Sequence, residues 1–477
     1  MCLKHYGSHG NHLSLTCCGY NMFQVTSVRG PHRQACDSHR LKGFESYIHK
    51  NKNRKFKSLR KVSSPINIKR LIKKNHPFRI KMSKPLSVTQ SQAKGIPSVD
   101  PYYDLIMNDD LAANNYPSAM DDHKKAAKAS LAAQVMTRTL FDKYKDIKAK
   151  SGWTIARAIN TGVCYPGSFV GCHAGDLESY HVFKDFFYPV IEGYHVGYKL
   201  DGSMKHTTDM DPEKMTSELS DEAKQLIVST RIRCARNLEM FPLNTAGTLE
   251  TRLQIADLME KVFKEISDDP QLSDLAGNFL RHTTMTPAEE QQLIDDHFLF
   301  KGKDKMQAAS GYHQHWPQGR GIFVSKDRKF LVWVNEGDHL RVISMENGGD
   351  VKAVLARLNR AVTAIETKLK TLTGRATVFM SDPVLGMITC CPSNLGTGMR
   401  ASVHCIVPKL IDQLGFEKID EVAHTMNCQA RGTMGEHSEV VDRIDVSNWR
   451  RLGFPEYELI QDMIRCINKL AQMEGAA

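Results

Sequence analysis

Residues 390–404 read CCPSNLGTGMRASVH. They bring together two thiols, a Pro-Ser-Asn turn, a Gly-Thr-Gly bend, a permanent cation at Arg400 and an imidazole at His404. A thiolate beside fixed cations has a lowered pKa and can pair with a cationic substrate. Glycines let backbone N–H groups approach phosphate oxygens. A guanidinium grips those oxygens with two parallel hydrogen bonds and never loses its charge. Taken singly, Cys391 is equally a small buried hydrophobe, and His404 a hydrogen-bonded structural ring. Together they suggest a site that holds phosphate with a second reactant beside it.

Other residues extend this chemistry. Arg231 and Arg233 lie in STRIRC, Arg341 follows NEGDHL, and Arg431 opens the second Gly-rich turn, RGTMGEH. Arg231 and Arg233 alternate, so on a strand both project from one face. A single Arg is usually a solvated surface cation; five at strand-to-turn junctions suggest an anion site. Neither Gly-rich turn matches GxxxxGK[ST], and neither leads into the helix that a dinucleotide-binding turn requires. Glu336, Asp338, Glu436 and Glu439 stand near these turns, where a carboxylate can take a proton from nitrogen or hold a planar guanidinium. His297, in IDDHFLF, is a further imidazole.

The elements that must position these groups change character along the chain. HKKAAKASLAAQVMTRTLFDKY (123–144) has helical spacing, and ESYHVFKDFFYPVIEGY (178–194) reads as a second helix broken by Pro189. GVCYPGSFVGCHAGD (162–176) is a Gly/Pro-rich loop between them. Beyond a polar linker at 201–214, LIVSTRIRC, KFLVWV, RVISM and ASVHCIV read as strands. IADLMEKVFKEI (255–266), VKAVLARLNRAVTAIETKL (351–369) and YELIQDMIRCINKL (457–470) read as amphipathic helices. Thr286-Pro287-x-Glu289 is a capping box. With no regular βαβ repeat, the expected class is α+β: a small all-α domain at 96–205, then a larger domain at 215–477 with a mostly antiparallel sheet.

The net charge of +11 on 477 residues is unevenly spread. Residues 1–95 hold 20 Lys and Arg against Asp37 and Glu45, a balance of +18, so the remainder is mildly acidic. This leader, with KNKNRKFKSLRK at 50–61, reads as disordered: a targeting segment, a nucleic-acid-binding tail or neither. Met82 opens what resembles an ordinary start, so residues 1–81 are expected to lie outside the functional chain. Without interleaved aromatics, the basic charge does not favour nucleic acid as partner. The 12 cysteines lack paired metal spacing and fit free thiols in a reducing compartment. No apolar run reaches ~18 residues, so no membrane span is expected. The expected location is cytoplasmic, or mitochondrial if the leader is a transit peptide.

STRIRCARN, LIDDHFLFKGKDKMQAAS, WPQGRGIF, KFLVWVNEGDHLRVISM, CPSNLGTGMRASVH and RGTMGEHSEVVDRIDVSNWRRLG together resemble the phosphagen (ATP:guanidino) kinase family. The similarity runs over about residues 100–473. It implies reversible phosphoryl transfer between ATP, with Mg²⁺ held mainly by phosphates and water, and a guanidino compound. By the resemblance, Ser229, Arg231, Arg233, His297, Arg341, Arg400, Ser402, His404, Arg431, Gly432 and Glu436 contact the nucleotide. Cys391 and Glu436 meet the guanidinium, and with Arg341 they form the catalytic set. RGTMGEH is then a mobile loop closing over the substrates.

The short loop after TGV, together with Tyr194 and Glu436, resembles the arginine-kinase branch, which implies L-arginine as substrate and a monomer. Ser168, Phe169 and Val170 would then form the pocket for its α-carboxylate. Taurocyamine or creatine as substrate, or a weakened paralogue that binds nucleotide or arginine, are the alternatives. Three departures motivate them: Gly337 where the family has a second Glu in NEEDHLR, His173 in place of Tyr, and Gly167 in place of Asp. Loss of one of two guanidinium-fixing carboxylates costs about 2–4 kcal/mol of transition-state stabilisation. Glu336 is one residue away, but as a strand neighbour it is expected to face the other way.

Overall fold

A computed structural model describes residues 107–300, 305–432 and 442–476, with the backbone of three strands near the start of the chain. The chain divides into two units, Met1–Ser83 and Lys84–Ala477. In the first, β1 (Cys2–Tyr6), β2 (His12–Cys18) and β3 (Met22–Val28) form an antiparallel meander. HLSLTCC and MFQVTSV alternate apolar and polar residues, a strand pattern that a reading based on charge alone passes over. The basic run at 50–61 lies outside the described residues.

The second unit opens with short helices: α1 (Asp109–Ala112), α2 (Ala119–Lys124), α3 (Leu131–Val135), α4 (Arg138–Tyr144), α5 (Ile155–Cys164), α6 (Leu177–Val182) and α7 (Lys184–Tyr194). The single helix expected over 123–144 is therefore three pieces. Ser130 and Thr137 are extended, and their side chains accept from the N–H groups of Ala133 and Leu140, so each starts a new helix. The 178–194 helix breaks at Phe183 and not at Pro189, which lies inside α7. Helix α5 runs into the stretch expected to be a loop. Its face of Ile155, Ala158, Ile159 and Val163 is buried, which outweighs the weak propensity of Asn160, Thr161 and Gly162.

The larger part follows the linker. Its elements are α8 (Asp221–Leu226), β4 (Ile227–Arg236), α9 (Leu249–Asp268), β5 (Gly277–Arg281), α10 (Pro287–Asp295), α11 (Lys305–Ser310), β6 (Gly321–Ser325), β7 (Phe330–Val334), β8 (Leu340–Asn347), α12 (Val351–Thr373), β9 (Ser381–Asp382), β10 (Gly386–Met387), β11 (Met399–Ile406), α13 (Pro408–Leu414), α14 (Phe416–Thr425), β12 (Cys428–Gly432), β13 (Arg443–Asn448) and α15 (Glu456–Ala476). Eight strands form one sheet in the order β12-β13-β11-β4-β8-β7-β6-β5, antiparallel throughout. This is the α+β architecture expected. Alternation gives the sheet two unlike faces. Ile232, Cys234, Val332, Val342, Ala401, Val403, Ile444 and Val446 point one way, into a core closed by the apolar stripes of α9, α12 and α15. The Ile and Val side chains among them, fully buried, each contribute about 1.5–3 kcal/mol.

The helical part shares a second core with the Cys390 turn. Trp153, Phe183, Phe187 and Val170 pack in the same cluster as Leu385, Ile388, Cys390 and Leu395. Hydrogen bonds add direction: Ala174 N–H donates to Cys390 O at 2.8 Å, and Tyr180 O–H to Thr389 O at 2.8 Å. His195 Nε2 lies 2.9 Å from Pro392 O.

The Gly-Thr-Gly bend serves packing. Gly396 N–H donates to Leu385 O at 2.8 Å and Thr397 N–H to Arg451 O at 3.0 Å, so these two amides are spent within the chain and do not cradle phosphate. Gly396 has φ +90°, and a Cβ there would stand 2.2 Å from Arg451 O. Gly396→Ala should therefore destabilise by at least about 1–3 kcal/mol from backbone strain alone. Urea denaturation of the variant against the parent checks this; an unchanged midpoint would contradict the tight approach.

Candidate active site

The face of the sheet opposite the helices carries the arginines. In register, Arg233 pairs with Arg400, Arg231 with Ser402, and Ser229 with His404. Arg233 also pairs with Ile343, two residues from Arg341 on β8. Ser402 faces Ser447 and His404 faces Asp445, which in turn faces Arg431. Parity therefore puts Ser229, Arg231, Arg233, Arg341, Arg400, Ser402, His404 and Arg431 on one face. All five arginines are partly buried.

Their charge is only partly balanced. Arg400 donates to Ser447 Oγ at 3.2 Å and to Asp445. Arg341 donates from Nε and Nη2 to Glu336 Oε2 at 3.2 and 3.0 Å. Burial opposes the Arg341 charge, but Glu336 and Asp338 outweigh it and raise its pKa. Arg431 donates to Gln429 at 3.0 Å. Arg231 and Arg233 have no carboxylate partner among the described residues; Arg231 lies over the Trp333 ring, 5.6 Å from its centroid. Burial, then Arg400 and Arg341, lower the Arg231 pKa to about 10, and burial with the other arginines pushes Arg233 well down. Two cations held against desolvation and mutual repulsion make a space suited to a polyanion.

The other side of the site is the Cys390–Cys391 turn and residues 335–339. Glu336 does not lie in a strand as expected. Asn335 has φ +56° and residues 335–339 form a bend, which frees Glu336 to reach Arg341 on the polar face. Burial opposes the Glu336 charge and Arg341 outweighs it, so its pKa is lowered. Asp338 is structural: its Oδ1 accepts from Asn237 at 2.8 Å and from Cys390 N–H at 2.9 Å. Cys391 Sγ lies 3.1 Å from Ser393 Oγ. The expected lowering of its pKa is not found. Burial pushes the thiol up, against the Ser393 hydrogen bonds and with the Asp338 charge adding to the rise.

In the helical part, Ser168 and Val170 are buried and Phe169 is 70% exposed, edge-on to Tyr194 at 5.8 Å. The carbonyls of Phe169 and Val170 accept from Leu131 and Ala132 at the start of α3, at 3.0 and 2.9 Å. Their N–H groups have no acceptor among the described residues, and Ser168 Oγ is buried without a partner. Tyr194 O–H accepts from Arg451, which also donates to Ser393 O at 2.5 Å, so one arginine ties this loop's neighbour to the Cys391 turn. His404 faces Asp445 at 3.7 Å, and burial, helped by Arg231 and Arg400, lowers its pKa against Asp445. His297 is exposed with φ +58°, next to Phe298, whose carbonyl accepts from Trp333 at 2.8 Å. It stands at the margin of the polar face. Glu436 and Glu439 lie outside the described residues, and Gly432 ends β12.

Sequence reading missed Asp445 and Ser447, which anchor Arg400, and Asn237, which holds the 335–339 bend. The signal was present in RIDVSN, where buried Ile444 and Val446 alternate with polar residues.

A cationic sheet face beside a helical part whose Phe169 and Val170 amides have no acceptor among the described residues suits anionic ligands such as phosphate and carboxylate. Residues 255–477 match the ATP:guanido phosphotransferase C-terminal catalytic domain, and residues 126–192 its N-terminal domain. Arginine kinase of Limulus polyphemus is 42% identical over 354 residues, 73% of this chain and 93% of that one. Arginine kinase of Anthopleura japonica is 41% identical over 368 residues, 76% of this chain but 49% of the relative, so this chain spans about half its length. A lombricine kinase crystal structure superposes with a TM-score of 0.68 at 34% identity, covering 78% of this chain and 96% of that one. The chain belongs to the ATP:guanido phosphotransferase, or phosphagen kinase, family.

The raised Cys391 pKa has a measurable consequence. The thiolate fraction at neutral pH should be smaller than for an ordinary thiol, and alkylation should keep accelerating above pH 9. Cys391 and Cys164 are half-buried, whereas the other six described cysteines are buried, so these two should react before those six. Mass-spectrometric mapping of iodoacetamide labelling against pH checks this; rapid labelling of Cys391 near pH 7 would contradict the burial effect.

Proposed function

We propose that this chain reversibly transfers a phosphoryl group from ATP to the guanidino nitrogen of L-arginine. The observation that carries this reading is the pair of guanidinium groups, Arg231 and Arg233, without a carboxylate partner among the described residues, on a sheet face that adjoins the Cys391 turn. Phosphoryl transfer asks mainly for positioning and charge neutralisation. Arg231, Arg233, Arg341, Arg400 and Arg431 hold the phosphates, with Ser229, Ser402, His297, His404 and Gly432 on the nucleotide side. Mg²⁺, when bound with ATP, would supply further charge neutralisation beside these arginines.

The acceptor enters from the helical side. The amides of Phe169 and Val170, without an acceptor among the described residues, suit a carboxylate, and on this reading Cys391 meets the guanidinium. As the N–P bond forms and the terminal O–P bond of ATP breaks, a guanidinium nitrogen gives up its proton. By the family resemblance, Glu436 takes that proton.

Gly337 and His173 favour a second reading, in which another guanidine such as taurocyamine, creatine or lombricine is preferred. A coupled ADP-release assay on the full chain compares these with L-arginine. Turnover highest with arginine is expected; a higher kcat/KM for another guanidine would replace it, and none with any guanidine would leave a binding role. Arg233→Gln should lower kcat about 10²–10³-fold by removing one preorganised charge.

A further inference from the structure

Gly337 leaves a space that Tyr312 borders. A Cβ at position 337 would lie 3.5 Å from Tyr312 Cε2 and 3.7 Å from Cζ, the carbon bearing the hydroxyl, and 3.6 Å from Arg341 Nη2. None of these is a clash, so a side chain at 337 would fit beside the phenol. The Tyr312 ring is held from several directions. Its carbonyl accepts from buried Arg320 at 2.5 Å, and its N–H donates to Gln307 O at 3.1 Å. The His173 ring meets it edge-on at 5.2 Å and 77°. His173 Nδ1 is 3.1 Å from Thr161 Oγ1, and burial lowers its pKa to about 3, so it stays neutral. On the other side, Cys390 Sγ donates to Gly337 O at 3.4 Å, one residue before Cys391. Tyr312 O–H itself has no hydrogen-bond partner among the described residues.

A preorganised phenol with an unused oxygen thus stands between Gly337, Arg341 and the Cys391 turn. We propose that Tyr312 positions the substrate: its hydroxyl oxygen accepts an N–H of the guanidinium where Gly337 offers no carboxylate. This rests on the guanidino-kinase reading above. A phenol orients the nitrogen without carrying its proton away. Burial, with the nearby charges of Asp338 and Glu336, keeps it protonated. The departures at 173 and 337 then form one rearrangement, since the His173 ring sets the angle of the tyrosine that borders the vacancy.

The test is Tyr312→Phe in the full chain, alone and with Gly337→Glu. Loss of a hydrogen bond to a charged group should lower kcat/KM for arginine about 10–100-fold, mostly through KM, with the KM for ATP unchanged. In the Gly337→Glu background the same substitution should cost little, because the carboxylate then holds the nitrogen. An unchanged kcat/KM, an equal cost in both backgrounds, or loss of nucleotide binding by Tyr312→Phe would each overturn the proposal. If the parent turns over no guanidine, calorimetric titration of arginine in the presence of MgADP reads the same contact. Weaker binding by Tyr312→Phe would then uphold Tyr312 while the kinase reading falls; equal binding, or none by the parent, would overturn it.

Discussion

The rest of this structure depends on positive charge held without its counter-ion. Arg231 and Arg233 sit partly buried on β4 with no carboxylate partner among the described residues, and burial and the neighbouring guanidiniums depress both pKa values. A desolvated charge costs several kcal/mol unless something pairs with it. The fold carries that cost through the opposite face of the same strands, where Ile232 and Cys234 join the large core. One strand thus supplies stability on one face and strain on the other. A polyanionic ligand relieves the strain, so its binding and the local electrostatics are one quantity.

The flanking carboxylates show how the balance is graded. Asp445 holds Arg400 and Glu336 holds Arg341, so the outer cations are fixed in place before any ligand arrives. The central pair is left open. If all the guanidiniums were paired, the face would be neutral and indifferent to phosphate; if none were, repulsion would splay them. Salt bridges here therefore act as orienting devices, since a buried pair adds little net stability.

Much of the fold was legible in the sequence because it rests on periodicity. The alternation in LIVSTRIRC gave both the strand and the shared face of Arg231 and Arg233. The stripes at 255–266, 351–369 and 457–470 gave the three helices behind the sheet. Local competition hid other elements. Ser130 and Thr137 cap helices inside what looked like one helical run, and buried α5 hid in residues of weak propensity. The 335–339 bend was least readable. Glu336 was read as a strand neighbour facing away, yet left-handed Asn335 and the Asp338–Asn237 hydrogen bond, a contact that spans 101 residues, turn the segment. The pKa of Cys391 was misjudged for a similar reason: sequence shows the cation nearby but not the depth of burial.

On the proposed function, acceptor recognition is separated from phosphate recognition by the source of its contacts. The proposed phosphate face belongs to strands whose register fixes every Arg relative to the next. The proposed acceptor side is assembled from loops: 168–170, the Cys391 turn and the 335–339 bend. The helical part packs on the Cys391 turn through Ala174, Tyr180 and His195, Arg451 joins that turn's neighbourhood to Tyr194, and Asn237 holds the 335–339 bend. A substitution in a loop changes one contact, whereas one in the sheet disturbs charge and core together. Gly337 and His173 both lie on the loop side, against the same tyrosine. The departures from the family pattern therefore fall where the acceptor can change while the means of holding phosphate stays intact.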